Sequence, residues 1–284
     1  MDRKEIVLYG DGALDRREFL KKLAYLSGGT AAAFAVLPML EKNRAEAQII
    51  PKADPRIVAE HTEFTGATGK VRAYLAKPKG EDGKLPGVVV IHENRGLNAH
   101  IEDVTRRVAL EGYVAFAPDA LSPVGGTPDD PDKARSLIEQ LDGASTVQNF
   151  TAAIEYLKTH PSSTGRVGVV GFCWGGAMAN QVAVHAGENL AAAVPYYGRQ
   201  PASEEVPKIK ASLLLHYAGI DERINSGIPA YEDALKAASV DYKIFIYEGA
   251  LHAFNNDMNP ERYNREAAQL AWQRTISFFE EKLK

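Results

Sequence analysis

The chain has a single cysteine, so no intrachain disulfide can form and cysteine usage alone leaves its compartment open. It has no excess of positive charge. Its 33 Lys and Arg are outnumbered by 37 Asp and Glu, a net charge of −4, and no basic run carries interleaved aromatics. That balance excludes an electrostatic case for a nucleic-acid partner. No internal repeat or second block of composition is visible. No cluster of His, Cys, Asp or Glu has metal-ligand spacing, so neither a metal nor another cofactor is expected. Long apolar runs are scarce too. The best, Leu23 to Leu40, would reach roughly 27 Å as a helix, short of the ~30 Å hydrocarbon core. Ser27, Gly28, Gly29, Thr30 and Pro38 interrupt it, so no stable membrane anchor is expected. What remains is ordinary globular composition, 45% apolar and 25% charged, in 284 residues. That length allows one α/β domain with a deep core.

The N-terminal residues speak to compartment. Asp15-Arg16-Arg17-Glu18-Phe19-Leu20-Lys21-Lys22 precedes the apolar stretch, and Ala45-Glu46-Ala47 offers an A-x-A cleavage site. This arrangement resembles a Tat export signal, with Asp15 standing where serine or threonine is usual. The expected organisation is a signal peptide over 1–47 and a catalytic domain over 48–284, periplasmic or secreted after cleavage. The plainer alternatives are a membrane anchor or an amphipathic helix.

The chain is organised around Val167-Gly168-Val169-Val170-Gly171-Phe172-Cys173-Trp174-Gly175-Gly176-Ala177. It reads as a β-branched strand, an abrupt turn and the start of a helix. G-x-C-x-G is a nucleophile elbow with cysteine in the serine position. Glycines at Gly171 and Gly175 suit two segments that nearly collide, and a helix N-terminus favours a thiolate. The alternative is a small buried cysteine at a tight turn.

Strand and helix patterns alternate along the rest of the chain. A hairpin (56–65 and 70–77) precedes a buried strand over 87–93, a helix over 99–111 and a strand over 114–117. Helices are expected over 132–141, 145–159, 228–238 and 261–283, with strands over 191–197, 212–217 and 242–247. The Pro- and Gly-rich loop over 120–131 is a candidate lid or pocket wall. The alternation implies a mainly parallel, doubly wound α/β sheet with an N-terminal β-hairpin.

Ligands sit beyond the carboxyl ends of strands in such sheets. Four reactive side chains fall there: Glu93, Cys173, Asp221 and His252. Nucleophile, acid and histidine follow in the α/β-hydrolase order. Each has a bland alternative: Asp221 as a turn cap, His252 as an ordinary histidine, Glu93 as a structural carboxylate. His92 should point to the opposite face of the pleat, and Asp119 reads as a turn former.

The elbow Gly171-Phe172-Cys173-Trp174-Gly175-Gly176 resembles that of the dienelactone hydrolase family of the α/β-hydrolases. So do His92-Glu93-Asn94-Arg95-Gly96, Ala117-Pro118-Asp119, Asp221 and His252-Ala253-Phe254. The resemblance implies an α/β-hydrolase fold and a Cys173, Asp221, His252 triad. It implies an oxyanion hole from the backbone N–H groups of Trp174 and Asn94, and a Glu93 that holds the resting thiol and deprotonates it when substrate arrives. The expected reaction is cleavage of a small carboxylic ester or lactone through a cysteine acyl-enzyme. A general esterase or thioesterase, or a non-catalytic binding protein on this scaffold, are the rivals.

The family's two carboxylate-binding arginines have no counterpart, since Pro123 and Asn256 occupy their places. Asn256 could still hydrogen-bond a substrate oxygen, and Arg95 is the nearest remaining cation in sequence. Neutral esters or lactones are therefore the expected substrates.

Overall fold

The computed structural model describes residues 49–81 and 83–284. The expected signal over 1–47 lies outside the described residues. Strands β1 (Ile57–Gly66) and β2 (Gly69–Pro78) form the antiparallel hairpin, paired down to Gly66 opposite Gly69. The strands run one residue further into the turn than the sequence pattern suggests.

β3 (Leu85–Ile91) follows, then α1 (Ala99–Leu110), whose N-terminus is capped by the Asn98 side chain accepting from Ile101 N. β4 is Val114–Pro118, α2 is Pro131–Ile138 and α3 is Gly143–Thr159. β5 (Ser163–Phe172) leads into α4 (Trp174–His185). β6 is Ala192–Tyr196, β7 is Ser212–Ile220, and the short α5 is Glu222–Asn225. α6 (Ile228–Ala237), β8 (Tyr242–Leu251) and α7 (Arg265–Leu283) complete the domain.

The eight strands make one sheet in the order β1-β2-β4-β3-β5-β6-β7-β8. β2 is antiparallel to both β1 and β4, and every pair from β4 to β8 is parallel. This is the α/β-hydrolase arrangement. Val88 and Val90 pack on one face of the sheet and Val89 and Ile91 on the other, which is why the strand reads as an unbroken apolar run. Two cores result. α2, α3, α4 and α6 cover one face, and α1 and α7 the other.

Several boundaries differ from expectation; β3 ends at Ile91 rather than residue 93, and β7 runs to Ile220 rather than residue 217. α7 starts at Arg265 rather than residue 261, because the Asn264 side chain accepts from Ala267 N at 3.1 Å and sets the cap there. α2 stops at Ile138, short of Leu141. β8 continues past Tyr247 to Leu251, since Gly249 takes φ of 71° and a register shift restores pairing at Ile220 opposite Leu251. Among the described residues no helix is long and apolar enough to cross a membrane.

Candidate active site

The turn from β5 to α4 places Cys173 at φ 56°, ψ −113°, a conformation that costs an L-residue about 1–3 kcal/mol. Close approach explains the flanking glycines. A Cβ on Gly171 would lie 2.0 Å from the Gly175 carbonyl oxygen, and one on Gly175 would lie 2.4 Å from that of His92. Four non-glycine residues have positive φ among the described residues, and three of them (Cys173, Tyr197 and Ala253) crowd this point.

His252 follows β8, and its Nε2 lies 3.0 Å from the Cys173 sulfur. Its Nδ1 lies 2.5 Å from Asp221 Oδ2. Asp221 makes no side-chain cap on α5, so its carboxylate serves the histidine rather than the turn. The Tyr197 ring packs against the His252 imidazole at 5.0 Å between centroids. The loop after β8 is held from α1, where Arg107 donates to Asp257 Oδ2 at 2.6 Å and His100 lies 3.2 Å from Oδ1.

The thiol is protonated at rest. Burial pushes its pKa up to about 12, and the Glu93 carboxylate adds to the rise. The Trp174 backbone N–H and the Arg223 guanidinium pull the other way. Glu93 itself is buried. Its Oε2 accepts from Asn256 Nδ2 at 2.6 Å, while its Oε1 has no hydrogen-bond partner.

Asn94 and Trp174 both line the cavity onto which Cys173 opens. The loop carrying Asn94 is built from behind. The fully buried His92 accepts from Ala120 N through Nε2 (3.1 Å), donates from Nδ1 to Glu93 O (2.6 Å), and stacks on Trp174. These bonds assign a neutral imidazole, and burial lowers its pKa accordingly. Asp119 accepts from Thr127 Oγ1 at 2.7 Å, and Thr127 Oγ1 accepts from Leu97 N at 2.9 Å. Asp119 is thus a structural brace for the loop.

The cavity measures about 620 Å³. Arg95 and Asn256, the substrate-side candidates, are not among its walls. Arg95 reaches Asp132 at 3.4 Å, and the Asn256 amide is turned onto Glu93. Pro123 is exposed and equally remote. The 120–131 loop contributes no wall either. It is tied back to β2 by Arg72, and the helix after it, α2, supplies Arg135, Ile138 and Glu139. Three arginines that the sequence reading did not single out, Arg135, Arg199 and Arg223, line the cavity. Arg199 lies three residues past β6 and Arg223 two past Asp221. Proximity to strand ends was their available signal. Among the described residues no group of three or more His, Cys, Asp or Glu is placed to hold a metal ion.

The chain is similar to known proteins over most of its length. The sequence profile of the dienelactone hydrolase family matches residues 71–283. A protein of Escherichia coli strain K12, provisionally named a carboxymethylenebutenolidase, is 32% identical over 248 residues, covering 82% of this chain and 90% of the relative. A Saccharolobus solfataricus protein with the same provisional name is 34% identical over 247 residues, covering 74% of this chain and 93% of its own. Among solved structures, a provisionally assigned dienelactone hydrolase from Klebsiella pneumoniae superposes with a TM-score of 0.72 at 31% identity, covering 79% and 98% of the two chains. A dienelactone hydrolase-like promiscuous phosphotriesterase from metagenomic libraries gives 0.72 at 25% identity, covering 81% and 100%.

Proposed function

Because the chain belongs to the dienelactone hydrolase family and is a carboxylic ester or lactone hydrolase, we propose that it works through a Cys173 acyl-enzyme. The observation that carries this reading is the continuous relay from Cys173 Sγ through His252 to Asp221, at 3.0 and 2.5 Å.

The thiol must lose its proton as the carbonyl arrives, and His252 Nε2 stands where it can take it. Glu93, with Oε1 unpartnered, is the second acceptor on that side. The sulfur then forms a bond to the carbonyl carbon, whose π electrons move onto oxygen. Backbone N–H groups of Trp174 and Asn94 receive the oxyanion. Collapse of this intermediate breaks the ester C–O bond, and the imidazolium of His252 protonates the leaving oxygen. Water, deprotonated by His252, attacks the thioester and returns Cys173 as thiol with release of the acid. Asp221 holds the imidazole tautomer and stabilises its cation throughout.

Purified protein should hydrolyse a p-nitrophenyl ester, and Cys173→Ala should lower kcat by about 10³-fold or more. Quenched reactions of the parent enzyme should show an acyl mass increment on the peptide containing Cys173. Near-parental turnover by the alanine variant would refute the cysteine mechanism.

A further inference from the structure

Two of the three arginines in the cavity wall stand apart from the third. Arg199 and Arg223 both line the cavity, and neither guanidinium makes a hydrogen bond or ion pair among the described residues. The third, Arg135, is already engaged by Glu139 at 3.2 Å. The unpaired two belong to different strand ends, yet their backbones are fixed to one another and to the core. The fully buried Asn180 of α4 donates to the Arg199 carbonyl at 2.9 Å and accepts from Tyr231. Gln200, next in sequence, donates to the Ile224 carbonyl beside Arg223 at 3.1 Å. Arg223 lies close enough to the Cys173 thiol to pull its pKa down, against the larger upward push of burial and Glu93.

Both side chains are exposed, so they sit at the mouth rather than the floor of the cavity. A cation at a mouth suits a substrate whose ionised group stays partly hydrated while its carbonyl reaches the sulfur. We propose that Arg199 and Arg223 form an anion-reading rim, and that the preferred substrates are esters or lactones carrying a carboxylate or phosphate remote from the scissile carbonyl. This rests on the hydrolase reading above. It reverses the preference for neutral substrates expected from residues 123 and 256. It also places recognition on side chains that neither position supplies. Partly hydrated pairs are individually weak and screened by salt, so the effect should be moderate and sensitive to ionic strength.

The test compares p-nitrophenyl hemiglutarate with p-nitrophenyl butyrate on the same enzyme. The ratio of their kcat/KM values cancels any influence of Arg223 on the thiol. At low salt the parent should favour the hemiglutarate by about tenfold. Arg199→Gln with Arg223→Gln should cut the ratio at least fivefold, whereas the paired Lys replacements should retain most of it. A parental ratio at or below one, or a ratio unmoved by the paired Gln replacements, would overturn the proposal. If neither ester is turned over, the hydrolase reading fails on its own and binding decides the rim. Calorimetry should then show glutaramate or butyl phosphate bound more tightly than neutral glutaramide, and the paired Gln replacements should abolish that difference. Equal binding of all three probes would overturn the rim. The stronger of the two anions identifies its oxyanion.

Discussion

Glu93 and Cys173 stand just past the ends of neighbouring strands, and the carboxylate bears on the thiol's charge. The carboxylate disfavours the thiolate, so it contributes to holding the thiol near a pKa of about 12. Replacing Glu93 by Gln removes the negative charge and must lower that pKa, giving more thiolate at any pH below it. A like charge close to a thiol is worth about one pKa unit or more, so Glu93→Gln should alkylate with iodoacetamide about tenfold faster at pH 8. Turnover should fall at the same time, because the second proton acceptor is gone. An unchanged alkylation rate with unchanged turnover would reduce Glu93 to packing. The main site residues were legible in the sequence because strand ends in a parallel sheet converge, so position could stand in for distance. Arg199 and Arg223 were not, because a long flexible side chain two or three residues beyond a strand end can point anywhere. Asn256 was legible by position but not by direction: its amide turns to Glu93, not outward.

Between the strands, a buried polar chain fastens β6, β7 and β8 to α7 beneath the catalytic edge. Thr275 Oγ1 donates to Ala271 O and accepts from the Tyr196 hydroxyl and from His216 Nε2. His216 Nδ1 accepts from the Tyr247 hydroxyl at 2.8 Å, which in turn accepts from Arg274. Every donor finds an acceptor only if His216 is neutral. Burial, with Arg274 nearby, lowers its pKa from 6.5 to about 3. Above pH 6.5 neither the folded nor the unfolded chain protonates this histidine and its contribution is complete. Below that only the unfolded chain does, so stability is lost as pH falls toward 3. At pH 4.5 the loss amounts to about 3 kcal/mol. Urea denaturation of the parent and of His216→Gln at pH 7.5 and 4.5 checks this. The variant should lose less on acidification by about that amount, and an equal loss in both would contradict the account. This network had no signature in the sequence, since its members lie as far apart as 196 and 275 and look like ordinary core aromatics and polars. The sheet itself was readable because strands buried on both faces leave continuous apolar runs. The loop over 120–131 misled because length and proline content describe a surface loop without saying which neighbour it leans on.

For the molecule as a whole, the protonation state of its one cysteine bears on where it can work. A thiol whose pKa is pushed up to about 12 stays protonated at pH 7, and oxidation follows the thiolate. With no second cysteine, it has no intrachain partner for a disulfide. Both features suit an enzyme that rests in an oxidising compartment and releases its nucleophile only when substrate arrives. We propose that residues 1–47 direct the folded domain there through the twin arginines Arg16 and Arg17. On this proposal the apolar stretch behind them is part of the export signal. Replacing both arginines by lysine keeps the positive charge and the apolar stretch but removes the paired guanidinium groups that a twin-arginine receptor reads. Fractionation of cells expressing the full chain should then find precursor retained in the cytoplasm, with esterase activity preserved there because the replacements lie outside the catalytic domain. The parental chain should yield a shorter product, beginning near Gln48, outside the cytoplasm. Processed protein appearing outside at parental levels from the lysine variant would rule out the twin-arginine route.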